Sequence, residues 1–148
     1  KYAELSSDRI KDYVFDWDRM LSFEGNTAPY LQYAHARICS IFRRGGVERA
    51  AVREVVPALS EPQERALALQ LLQFDTAVHD KLDKFSPHKL CTYLFELAQT
   101  FTSFYEACPV LKEGHEATRE SRLALCDLTA RVLEQGLALL GIDAPERM

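Results

Sequence analysis

Thr27–Gly46 (TAPYLQYAHARICSIFRRGG) reads as one helix with its beginning and end written into it. Thr27 is a residue type that caps a helix start. Pro29 falls in the first turn, where its missing N–H costs nothing, and Gly45-Gly46 supplies the stop after Arg44. Leu31, Ala34, Ile38 and Ile41 recur at helical spacing and form one apolar face; Tyr30, Tyr33 and Arg37 form a neighbouring stripe about 100° round the helix. The first set belongs in a core. The second set has two readings. Two rings and a guanidinium on a partly exposed face suit unstacked bases and phosphates; the same residues also suit boundary packing, with the tyrosine hydroxyls in water and the arginine solvated.

Working outward, the same periodicity runs from about residue 16 to 140, and strand-like alternation is confined to the short stretch Tyr13, Val14 and Phe15. An all-α bundle of about five or six helices is expected. Asp16 caps a short helix through Ser22, and Glu24-Gly25-Asn26-Thr27 supplies turn chemistry, because Gly and Asn tolerate left-handed backbone. Ser60-Glu61-Pro62-Gln63 reads as a capping box between Ser60 and Gln63, followed by the stripe Leu67, Leu71, Phe74, Val78, Leu82 and Phe85, which Asp75 could divide into two helices. Ser86-Pro87 starts a further helix, with Leu90, Leu94, Ala98, Phe101, Tyr105 and Cys108 on one face and Pro109 as its stop. The last helix, roughly 119 to 140 with Gly141 after it, carries two stripes. One is Leu123, Cys126, Leu133, Leu137 and Leu140; the other is Leu125, Leu128, Val132 and Leu139. It should be packed on both sides, with Gly136 marking a close helix contact.

The chain has 148 residues, 47% of them hydrophobic and 27% charged, which suffices for a single core and excludes disorder. Four cysteines without paired spacing point to a reducing compartment, and no apolar run is long enough to span a membrane. A soluble, cytoplasmic protein is expected. Net charge of −4 excludes indiscriminate grip on nucleic acid, so an RNA site has to be a local patch. Arg37, Arg43, Arg44, Arg49 and Arg53, with only Glu48 among them, offer a basic edge beside the aromatic stripe. No catalytic or metal-binding residues are found. The four histidines are scattered, His79 with Asp75, Asp80 and Asp83 reads as a solvated face, and no nucleophile elbow or phosphate-cradling loop occurs. Cys91 and Cys126 lie on core faces.

Three blocks resemble the C-terminal region of arginyl-tRNA synthetases, in that family's order: Phe15–Arg37 (FDWDRMLSFEGNTAPYLQYAHAR), Pro87–Pro109 (PHKLCTYLFELAQTFTSFYEACP) and Arg122–Met148 (RLALCDLTARVLEQGLALLGIDAPERM). The resemblance implies the helical anticodon-binding domain of a class I aminoacyl-tRNA synthetase. On that basis residues 15–148 form the domain, and residues 1–14 are the exit from a catalytic domain of the same chain. It further implies that the anticodon stem-loop of arginine tRNA meets Ser22, Phe23, Glu24, Gly25, Asn26, Thr27, Tyr30, Tyr33, Arg37, Tyr105 and Met148. The family's HxGH and Lys-Met-Ser-Lys-Ser signatures are absent, so this stretch is expected to be non-catalytic and to need no cofactor. ATP with Mg and L-arginine would belong to the parent ligase. Neither membrane nor DNA is an expected partner. The alternative function is a helical protein–protein interaction module using the Tyr30 and Tyr33 face.

Overall fold

The computed structural model describes residues 1–8, 16–84 and 86–148, with the side chains of 19 and 80–84 outside that description. The elements in chain order are α1 (Tyr2–Leu5), α2 (Trp17–Leu21), α3 (Ala28–Gly45), a 3-10 turn (Arg49–Val52), α4 (Pro62–Leu72), α5 (Phe74–Lys84), α6 (Pro87–Ala107) and α7 (Glu116–Leu139). Among the described residues there is no strand, as expected of an all-α chain. The short Tyr13, Val14 and Phe15 stretch, Phe85 and the Leu82 side chain lie outside the described residues.

α3 forms as its sequence dictates. Thr27 is extended, and its hydroxyl accepts from the Tyr30 N–H at 3.3 Å. Gly46, at φ 61°, ends the helix in left-handed backbone, which an L side chain rarely adopts. Leu31, Ala34, Ile38 and Ile41 are all buried. Their neighbours in the core come mainly from α6 and α7, which also enclose α4.

The apolar stripe of residues 67–85 breaks in two, at Gln73, with Asp75 in the first turn of α5. The capping box sits one residue later than the sequence pattern suggests. The helix begins at Pro62 with Glu61 as its cap, and the Glu64 carboxylate accepts from the N–H groups of Ser60 (2.8 Å) and Glu61 (2.9 Å). A carboxylate can take both orphan donors and an ion pair as well, which Gln63 could not.

α7 starts at Glu116, three residues before the expected 119. Every residue from Ser121 to Asp127 is buried, so the helix is enclosed on more than its two leucine stripes. Leu139 departs from that reading and is exposed, because Leu137 and Leu140 take the core contacts in this last turn. At Gly136 a Cβ would stand 2.5 Å from Leu94 Cδ2, so the glycine lets α6 and α7 touch. The polar opening of the chain also carries structure that its sequence does not announce. Tyr2 is 5% exposed, and α1 lies against α6.

Candidate nucleic-acid interface

The site begins in the 22–27 loop. Ser22 Oγ accepts from the Glu24 N–H at 3.0 Å, and the Thr27 hydroxyl donates to the Ser22 carbonyl at 2.6 Å while capping α3. Gly25 takes φ 78°, with open space where a Cβ would be, so the turn needs glycine for its backbone angle and not for room. Phe23, Glu24 and Gly25 are exposed, and Ser22 and Asn26 are partly so. Thr27, named with them from the sequence, is buried; its part is to shape the loop.

The Tyr30, Tyr33 and Arg37 stripe divides in the structure. Tyr33 is 50% exposed and stands into solvent. Tyr30 is half-buried, its ring edge-on to Phe95 of α6 at 5.4 Å. Arg37 lies over the ring of Tyr105 with its guanidinium carbon 5.1 Å from the centroid, and Tyr105 in turn stacks on Phe101 at 6.0 Å. Two residues 68 positions apart, singled out by different blocks of sequence, thus meet. The guanidinium keeps its charge in a cation–π contact and loses freedom, so it is a pre-placed cation.

The chain's last residues lie along α3. Gln32 Nε2 donates to the Asp143 carbonyl (2.7 Å), and Arg43 Nη1 donates to the Glu146 carbonyl (2.9 Å). Buried His35 sits 3.0 Å from the Pro145 carbonyl. A carbonyl only accepts, so His35 carries its proton on Nδ1 in this contact. Met148 is exposed at the end of this fastened segment.

The expected basic edge is narrower than the sequence suggests. Arg49 Nε donates to Asp127 Oδ1 at 2.8 Å, Arg131 Nε donates to Oδ2 at 2.9 Å, and Arg53 Nε is 4.0 Å away. Burial works against the Arg49 charge, but the hydrogen bond and charge of Asp127 hold its pKa above the ordinary arginine value. Asp127 is 1% exposed. It is 78 residues from Arg49 in the chain, which is why local charge counting missed it. Arg37, Arg43 and Arg44 remain as cations not tied to a carboxylate among the described contacts.

All four cysteines are buried and free, and burial pushes the Cys126 thiol up. No group of three or more metal-ligating side chains occurs among the described residues. His79 pairs with Asp75 at 3.4 Å, both exposed.

In class, the protein is an all-α helical bundle that exposes a glycine-containing loop and one stripe of α3. Residues 31–148 match the family described as the DALR anticodon binding domain, and the chain belongs to that family. Over its whole length it is 62% identical to an arginine–tRNA ligase of Frankia casuarinae and 58% identical to one of Thermobifida fusca, covering 25% and 26% of those proteins. The chain therefore spans about a quarter of the length of the curated relatives it matches. Its fold is similar to Thermus thermophilus arginyl-tRNA synthetase (TM-score 0.89, 42% identity, 99% of this chain and 25% of that one). It is equally similar to the Plasmodium falciparum enzyme, with TM-score 0.89, 36% identity and coverage of 99% and 26%. The resemblance read from the three sequence blocks is borne out.

Proposed function

We propose that this domain receives the anticodon stem and loop of an arginine tRNA and positions it for a catalytic domain of the same chain. That catalytic domain would activate arginine with ATP and Mg and esterify it onto the tRNA in the cytoplasm. In this reading residues 15–148 carry the RNA-binding surface and residues 1–14 lead from the catalytic domain, with Tyr2 packed into the same core as the helices that follow. The carrying observation is the edge formed by exposed Tyr33, Arg37 held over Tyr105, and the loop Ser22, Phe23, Glu24, Gly25, Asn26 and Thr27. Tyr33 offers a face for a splayed base, Arg37 a cation for phosphate or a base edge, and the loop its backbone donors. Tyr30 and Met148 are proposed as further contacts, Tyr30 from its half-buried ring on the same helix and Met148 from its exposed position at the end of the tail.

Titration of the protein with an arginine anticodon stem-loop and with one of altered anticodon, at two salt concentrations, tests the reading. Tighter binding of the cognate RNA is expected, weakened by Tyr33→Ala and by Arg37→Ala. Equal binding of both RNAs, or indifference to both substitutions, would overturn it.

A further inference from the structure

The loop from Ser22 to Thr27 is tied to itself by short-range bonds: Glu24 N–H to Ser22 Oγ, Thr27 Oγ1 to the Ser22 carbonyl, and Thr27 N–H to the Gly25 carbonyl at 3.0 Å. Among the described residues, one hydrogen bond reaches it from far away in the chain. The Tyr2 hydroxyl donates to Asn26 Oδ1 at 2.5 Å. We propose that Tyr2 is a positioning residue for this loop, its hydroxyl holding Asn26 so that the loop keeps the form that reads the anticodon. The proposal rests on the RNA reading above and deepens it.

The geometry around the Tyr2 hydroxyl carries it. The Tyr2 ring is already part of the core, where a phenylalanine would bury the same apolar surface, so the hydroxyl needs a separate reason. Its other polar neighbour, the Cys91 carbonyl, lies at 3.3 Å inside α6, where the helix ladder also supplies a donor. One O–H has one proton, and the shorter contact takes it. Burial raises the Tyr2 pKa, so the group stays a neutral donor. Finally, fixing Oδ1 inward leaves the two Nδ2 hydrogens of the partly exposed Asn26 free to face a ligand. Lys1, next to Tyr2, donates from Nζ to the Gly141 carbonyl at 2.9 Å, just before the tail that lies along α3. Tyr2 and the preceding Lys1 thus hold the loop and the approach to the tail respectively.

The test compares the unsubstituted protein with Tyr2→Phe. Three readouts are taken: thermal midpoint, backbone 15N relaxation of residues 23–26, and affinity for the cognate and altered stem-loops. Tyr2→Phe should fold, show increased loop motion, and lose about five-fold or more in cognate affinity, the scale of one lost hydrogen bond. Affinity for the altered RNA should stay the same. In an Asn26→Ala background, Tyr2→Phe should add nothing. Should Tyr2→Phe fail to fold, Asn26→Ala, at the exposed end of the same bond, is read for loop motion and discrimination in its place. An unchanged loop and unchanged discrimination in Tyr2→Phe overturn this proposal alone. Failure of the unsubstituted protein to tell the two stem-loops apart overturns the RNA reading and this proposal together.

Discussion

Tyr30 and Tyr33 stand three residues apart on α3 in different surroundings, and one substitution at each separates packing from recognition. Tyr30 packs on Phe95, so Tyr30→Ala should cost about 2 kcal/mol of folding stability, measured by denaturant titration. Tyr33 is half in water, so Tyr33→Ala should leave the denaturation midpoint where it is and cost about 1–3 kcal/mol in RNA affinity, the scale of one stacked base. The sequence places both on one stripe of α3 and cannot rank their burial, because Phe95 lies on another helix. The same holds for charge. Glu64 and Arg122 look like ordinary surface residues of α4 and α7, yet both are buried and joined at 2.8 Å, and Arg122 also reaches Glu113 and the Pro109 carbonyl. Burial opposes the Glu64 charge, but the Glu61 and Ser60 N–H groups and Arg122 hold its carboxyl below the usual range. Its contribution is therefore complete above the unfolded-state pKa and is lost as pH falls through the lower folded value. Glu64→Gln should destabilise by about 2 kcal/mol near neutrality, since buried Arg122 keeps Glu113 but loses the more deeply buried of its two carboxylate partners. It should also flatten the loss of stability as pH falls below the ordinary carboxylate range. An acid slope as steep as that of the unsubstituted protein would show that other carboxylates dominate.

At the scale of elements, the sequence signals that proved reliable are those acting within one turn. Thr27, Pro29 and Gly46 bound α3 because caps and left-handed glycines depend only on neighbouring residues. The capping box at 60–64 was legible as a start signal and missed by one position, because Glu64 has a distant arginine to satisfy as well as the local donors. Gly136 shows a tertiary demand that leaves a local trace. A glycine in mid-helix costs about 1 kcal/mol in propensity, and only a close neighbour justifies it. Gly136→Ala recovers that propensity but places a methyl 2.5 Å from Leu94 Cδ2 and 3.2 Å from its Cγ, with Leu94 wholly enclosed. Overpacking of this kind costs about 1–3 kcal/mol, so a net loss near 1 kcal/mol is expected in thermal denaturation. A stabilised variant would mean that α6 and α7 have room to part.

For the molecule as a whole, the proposed ligand is anionic and the protein itself is acidic. The chain has 18 Lys and Arg against 22 Asp and Glu. Two basic groups near the edge are drawn off further, since Arg49 and Arg53 both face Asp127. Arg37, Arg43 and Arg44 are then the cations of α3 left to meet phosphate, so the number of neutralised phosphates is about two or three. For a single strand, the logarithm of affinity falls against the logarithm of salt with a slope near −0.7 for each phosphate contact, which gives a slope of about −2 here. Raising salt from about 50 to about 200 mM should therefore weaken the cognate stem-loop about fifteen-fold, against a thousand-fold or more for a protein gripping through six or more phosphates. Arg44 is exposed in the last turn of α3, and Arg44→Ala should reduce the slope by about 0.7 and leave discrimination between the stem-loops intact. Fluorescence anisotropy with a labelled stem-loop over that salt range measures both. A slope steeper than about −5 would mean that charge supplies the grip from somewhere other than α3. The aromatic edge would then not be what distinguishes one RNA from another. A shallow slope with discrimination preserved at high salt is what an acidic domain must show if rings and loop backbone, rather than net charge, select its ligand.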